Sequence, residues 1–256
     1  MPLTKNLTPP SVASEFGMAV GWGLAKGYTR VAAFGYNPDV DGATLPEDIW
    51  VGGGLYPWMT ASTALEIIST SANDASAGTG ARTVLVSGLD INYVAVTQLV
   101  TLNGTTPVAL ATPLFRVNSL LIMSAGSGQV NAGQINVRDI SGGTIRSIIA
   151  VGAGISQQSA YTVPAGFTLQ VISNYTAITG NGSTRTADVS TMFRSPLGFY
   201  RLPLTLTASD GHPYRHDASP GIIVAEKTDF SMRCINVSND NSAIVAAWLG
   251  ILRANT

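Results

Sequence analysis

The stretch Tyr93-Val94-Ala95-Val96-Thr97-Gln98-Leu99-Val100-Thr101-Leu102, followed by Asn103-Gly104, decides the fold class. Successive side chains of a strand point to opposite faces, so Val94, Val96, Val100 and Leu102 share one face while Ala95, Thr97 and Thr101 share the other. A helical period would not gather the same residues on one stripe. Asn-Gly is the pair that a two-residue hairpin turn favours, because both residues tolerate positive φ. The stretch therefore predicts a strand over 93–102 that ends in a tight turn.

Outward from it the same period of two recurs in short runs between turn clusters, the pattern of a sandwich or barrel. Towards the N-terminus the runs are 65–70 and 83–87, flanking a polar loop at 71–80. Towards the C-terminus they are 115–123, 134–137, 144–151, 168–173, 202–207, 222–224, 230–237 and 243–252. The connections 124–133, 141–143 and 179–183 are Gly, Ser and Asn turns rather than flexible linkers. Segments 163–169 and 224–230 each carry a Val, a tight turn and a fresh strand, a pattern that two equivalent corners of a sandwich and a chance likeness of strand-turn-strand segments explain equally well. Helix is nearly absent from this reading.

Before residue 62 the period is lost. Pro9, Pro10, Gly21, Gly23, Gly27, Pro38, Gly42, Pro46, Gly52 to Gly54 and Pro57 interrupt it, and Trp22, Tyr28, Phe34, Tyr36, Trp50, Tyr56 and Trp58 fall in the same stretch. So aromatic a segment cannot stay solvated on a free monomer, so it must cover its own body or a neighbour's. The expected organisation is all-β, with an irregular, aromatic, Gly/Pro-rich docking arm over 1–62 and a β-sandwich or jelly-roll-like body over 63–256. The body has room for two packed sandwich subdomains, divided near 155–160 or 180–195. The seven aromatics are the candidate assembly interface.

Composition points the same way. Charged residues make up 11% of the 256 and hydrophobic ones 45%, against about 25% charged in a typical soluble domain. A monomer with that surface is poorly protected against association, so a homo-oligomer is expected, with a trimer as the first choice. No run reaches roughly 18 uninterrupted apolar residues, so no membrane partner is expected. Residues 1–10 lack the apolar centre of a secretory signal, which predicts expression in a cytoplasm. The 14 basic residues, three of them Lys, are scattered without a stripe, and nucleic acid is not an expected partner. The single cysteine, Cys234, excludes an internal disulfide and reads as a small buried hydrophobe.

The segments Gly35-Tyr36-Asn37-Pro38-Asp39-Val40-Asp41, Pro46-Glu47-Asp48-Ile49-Trp50, Gly52-Gly53-Gly54, and Gly78-Thr79-Gly80-Ala81-Arg82-Thr83-Val84 with Gly88-Leu89-Asp90 begin an ordered series. Val100-Thr101-Leu102-Asn103-Gly104-Thr105, Arg116-Val117-Asn118 and Ala125-Gly126-Ser127-Gly128 continue the series, and Tyr161-Thr162-Val163-Pro164-Ala165-Gly166 and Glu226-Lys227-Thr228-Asp229 extend it. Together these segments resemble a group of tailed-phage virion structural proteins. The resemblance implies a subunit of a virion, made in the host bacterial cytoplasm. It would decorate or stabilise the capsid or join head, neck and tail parts, with itself and the major capsid, portal, neck or tail proteins as partners. The alternative role it leaves open is a tail-associated module that binds a host-surface glycan.

The chemical signals favour plain readings. His212 and His216 lie in Asp210-Gly211-His212-Pro213-Tyr214-Arg215-His216-Asp217, where Pro213 prevents a helix presenting both imidazoles and Arg215 opposes a cation. A polar turn is expected. Asp39-Val40-Asp41-Gly42 lacks the remaining oxygen ligands of a calcium loop at their spacing. Gly126, Gly128 and Gly133, or Gly152 and Gly154, do not open a helix after a strand, as a dinucleotide loop requires. No Gly-x-Ser-x-Gly elbow is present. The carboxylate pairs Glu47 with Asp48 and Asp210 with Asp217 are the candidates for glycan cleavage, and they read as turn and surface residues. The expectation is no catalytic residue, no metal site and no cofactor.

Overall fold

The computed structural model of the protein describes residues 19–179, 185–196, 198 and 200–255, with the side chains of 200, 202 and 218–220 outside the description. Sixteen strands account for most of the regular structure among the described residues, with two short 3-10 turns at Gly42–Thr44 and Ile140–Gly142. Two belong to the first fifty residues, β1 (Tyr28–Val40) and β2 (Glu47–Asp48). Seven follow: β3 (Leu65–Ser69), β4 (Ala81–Leu89), β5 (Ala95–Thr101), β6 (Val108–Ala109), β7 (Arg116–Ala125), β8 (Ile135–Asp139) and β9 (Ile145–Ile149). The last seven are β10 (Tyr161–Thr162), β11 (Phe167–Thr179), β12 (Thr186–Arg194), β13 (Tyr200–Ser209), β14 (Tyr214–Val224), β15 (Asp229–Val237) and β16 (Ser242–Ala254). The all-β class expected from residues 93–102 is the class observed.

The strands form four sheets, and every pairing is antiparallel. The first has the order β1-β16-β11-β14, and the second β10-β15-β12-β13 with β2 added on β15. The third has the order β6-β3-β8-β9 and the fourth β5-β4-β7. One core lies between the first two sheets: Leu169, Val171, Ile244, Ala246 and Trp248 meet Val189, Leu206, Phe230, Met232 and Cys234. A second core lies between the other two, where Leu65, Ile67, Ile135 and Val137 meet Val84, Val86, Val100, Val117 and Leu120. Each core is the inner face of a two-sheet sandwich, with alternate residues of each strand turned inward. The chain builds part of the first sandwich, leaves to build the whole of the second from β3 to β9, and returns at β10.

This topology corrects the reading of residues 1–62 as an irregular arm. Residues 28–40 form a strand paired with β16 from Tyr28↔Arg253 to Val40↔Ser242, and Val40 and Ile49 are fully buried in the first core. The alternation of β1 was illegible because its inward positions are small or polar. Gly35 is inward, and a Cβ there would come within 2.2 Å of the Ile49 carbonyl oxygen. Asn37 is also inward and donates to the buried Glu47 carboxylate at 2.9 Å. The outward positions Phe34 and Tyr36 are the bulky ones, which reverses the usual contrast.

Other strands depart from expectation for local reasons. Strand β5 begins at Ala95 because Asp90 captures the chain before it: its carboxylate accepts from the backbone N–H of Asn92 and of Val94, both at 2.8 Å, and Tyr93 takes φ +64°. Strand β12 escaped the sequence reading because Ser190 and Thr191 interrupt its apolar set while being buried. Strand β14 starts inside the polar run 210–217, so only residues 210–213 turn. The loop over 71–80 is held by the buried Asp74, whose carboxylate accepts from Ser69 Oγ and from the backbone N–H of Ala81, Ala132 and Gly133. The two corner segments are neighbours in space: Val163 N–H donates to Thr228 O and Lys227 N–H to Val163 O.

Candidate functional site

The seven aromatic candidates separate into two groups. Trp50 and Tyr56 are buried and Trp58 half-buried, and with Ile148 and Ala160 they make a small third core between the sandwiches. Tyr56 meets Trp50 edge-on at 5.3 Å and Trp58 at 4.7 Å. Its hydroxyl donates to Arg146 O at 2.7 Å, and burial pushes the phenol pKa well above its ordinary value. Trp50 and Tyr56 are occupied within the chain, which corrects the expectation that these two dock on a neighbour, while Trp58 keeps a partly open face. Tyr28 and Tyr36 are half-buried. Trp22 and Phe34 remain on the surface, 71% and 41% exposed.

The junction beneath those rings is polar and filled. Arg116 on β7 and Asp229 at the start of β15 form an ion pair with both side chains 5% exposed. Arg116 also donates to Met59 O and Phe115 O, and its guanidinium lies 3.9 Å from the Phe115 ring centre. Asp229 accepts in addition from Thr162 Oγ1 at 2.6 Å and Arg194 Nε at 2.9 Å. Asn118 on β7 pairs with the backbone of Thr162 on β10 in both directions. These bonds fasten one sandwich to the other.

Several of the remaining chemical candidates have structural partners. Glu47 and Asp48 are adjacent strand residues, so their side chains diverge. Glu47 accepts from Asn37, Thr44 and Gly54 N–H. Burial raises its carboxyl, but those hydrogen bonds outweigh it and hold the pKa below the ordinary value. Asp48 accepts from Arg233, Ser231 and Tyr56 N–H. Asp39 and Asp41 border an open cleft of about 460 Å³ with Glu47 and Gly52 to Gly54. Asp41 accepts there from Asn241 N–H at 2.7 Å. His212 Nδ1–H donates to Asp210 O, 3.0 Å away, and Arg215 pairs with Asp217 on the surface. His216 lies on β14, beside Asn174 in register. No group of three or more His, Cys, Asp or Glu side chains that could hold a metal occurs among the described residues. Cys234 is fully buried, donates to Asn236 O, and its thiol is pushed up to about 12 by burial.

What sequence reasoning missed is a surface. In the fourth sheet Leu99, Leu85 and Leu121 lie directly abreast on β5, β4 and β7, and Ile155 continues the row through a bridge to Leu121. Leu99 is 63% exposed, and Leu121, Met123 and Ile155 are exposed too. Thr83, Ser87, Thr97, Thr101 and Ser119 flank the row in register, with no charged side chain among them. The signal was available in the parity of residue 99, which shares its face with Ala95, Thr97 and Thr101. Next to this row runs a groove of about 300 Å³ between the sandwiches, whose lining includes Ala32, Phe34, Ser119, Ile155 and Ala247. In the first sheet Phe34, Ala247 and Tyr175 form another cross-strand row, with Tyr36, Val245 and Ala177 beside it.

Compared with known proteins, the chain matches no family model, no curated protein and no solved structure.

Proposed function

We propose that the chain is a structural subunit of a homo-oligomeric assembly, and that the assembly is a tailed-phage virion, whose structural proteins the segments named above resemble. One observation carries the reading: the uncharged row Leu99-Leu85-Leu121-Ile155 stands open on a rigid sheet. Large exposed apolar patches mark interaction surfaces, and a sheet braced by its own core presents such a patch without an ordering cost. The subunit decorates or stabilises the capsid, or joins head, neck and tail parts, with trimers as the expected state.

Light scattering on the purified chain tests the assembly, and a low-resolution map of the particle tests its setting. Leu99→Asp is expected to leave stability within roughly 0.5 kcal/mol, as surface changes usually do, while weakening self-association. A 26.6 kDa monomer at every micromolar concentration overturns the reading.

Tyr214 favours a second reading, a tail-associated module that binds a host-surface glycan. It is 45% exposed beside the turn that joins β13 to β14, and exposed rings of this kind stack on sugars. Phe193 instead packs on Phe230 at 5.2 Å, and Phe199 and the Tyr200 side chain lie outside the description. Glycan-array binding lost in Tyr214→Ala would support this second role.

A further inference from the structure

We infer that the groove between the two sandwiches receives Trp22 of a second copy of the chain, so that copies join head to tail. The inference rests on the homo-oligomer reading and names the contact that would build the oligomer.

Trp22 and Leu24 are 71% and 51% exposed, next to the buried Ala19 and Val20. Their backbone is held: Gly23 N–H donates to Val20 O at 3.0 Å and Leu24 N–H to Ala19 O at 2.8 Å. Two large apolar side chains are thus presented on a hydrogen-bonded turn, a form that loses little entropy on docking.

The groove suits an indole. Its volume is about 300 Å³, and an apolar cavity of about 150 Å³ already admits benzene. Phe34 and Ile155 stand exposed on its two sides, and the Ser119 hydroxyl offers an acceptor for the indole N–H, which a buried Trp needs. No charged side chain lines it, so a neutral anchor enters without stranding an ion.

The same copy cannot supply the ring. Trp22 precedes Tyr28, and β1 then runs six residues to Phe34, about 20 Å at the rise of a strand. Tyr28 N–H bonds back to Ala25 O, and Ala254 N–H bonds to Gly27 O, which pins the turn at the far end of β1. Around the groove, the open faces of the first and fourth sheets cover on the order of 1,000 Å² by strand spacing and rise. A stable interface needs about 800 Å² per partner. Because the arm and the groove are different surfaces, the contact is heterologous and either closes a ring, such as the expected trimer, or propagates.

The test uses full-length Trp22→Ala and Ile155→Asp, with Phe34→Asp as a second groove variant, each checked for wild-type folding by circular dichroism and thermal melt. Each is expected to weaken association at least about tenfold, the scale of a buried Trp anchor. Mixing Trp22→Ala with Ile155→Asp should restore pairing, because one chain keeps the groove and the other keeps Trp22, and the product should stop at a dimer. If Trp22→Ala assembles like wild type, the inference falls while the homo-oligomer reading stands. If the variants fail and the mixture does not pair, the contact is not arm-to-groove and the inference falls likewise. A wild type that is monomeric at all concentrations removes both.

Discussion

Arg116 and Asp229, 113 residues apart in the chain, close a two-pronged ion pair at the junction of the sandwiches, Nε to Oδ1 at 2.7 Å and Nη2 to Oδ2 at 3.1 Å. Bidentate geometry fixes orientation as well as distance. The pair therefore sets how the β7 edge of one sandwich meets the start of β15, an inner strand of the other.

Asp229→Ala should destabilise the chain by about 3–5 kcal/mol, because it leaves the Arg116 guanidinium buried without its partner. Arg116→Met should cost less, since Asp229 keeps Arg194 and Thr162 as donors and the new side chain retains the contact with Phe115. Urea titrations of both variants measure the order, and equal losses would show that Arg194 and Thr162 do not support Asp229.

Glu47→Gln should cost about 1–3 kcal/mol at neutral pH, the range for weakening a buried, charge-assisted hydrogen-bond set. The folded Glu47 carboxyl has a lowered pKa, so its stabilisation is present above the ordinary value of 4.5 and is lost as pH falls through the folded value. The gap between wild type and variant should therefore narrow as the medium is acidified below that point. Melting temperatures across an acid series check it, and a gap independent of pH would contradict the sign.

Cys234 should resist iodoacetamide in the native protein at pH 8 and react fully in denaturant, because the thiolate is the nucleophile and burial raises this thiol to about 12. The sign for stability follows from the same raised value. The contribution is complete below the unfolded thiol's 9.0 and is lost as pH rises from there towards about 12. Mass spectrometry after timed labelling gives the first quantity, and alkaline melts of wild type and Cys234→Ser give the second.

Removing residues 1–60 should abolish the cooperative unfolding transition of the first sandwich, because it takes away β1, β2 and the buried Val40 and Ile49. Removing only residues 1–27 keeps those strands and should preserve the transition while eliminating Trp22 from self-association. Far-ultraviolet circular dichroism with thermal melts distinguishes the two truncations, and a folded 61–256 fragment with native cooperativity would show that β1 is dispensable.

The sequence by itself determined the class and many of the strands. An alternation such as Val96, Val100 and Leu102 depends only on neighbours two apart, so local order carries it. It also determined that Cys234 lies within a strand, because its own neighbours alternate. Tertiary structure alone decided that β1 is a strand, since Gly35 reads as an interruption until the Ile49 carbonyl is seen to occupy the space of its Cβ. It likewise decided that Trp50 and Tyr56 are internal while Trp22 is not, because an aromatic ring has the same sequence signature in a core as on a surface. The insertion of the second sandwich into the first was also beyond local order. It rests on pairings such as Phe34 with Ala247 and on the Arg116–Asp229 contact, and partners so far apart leave no periodic trace between them.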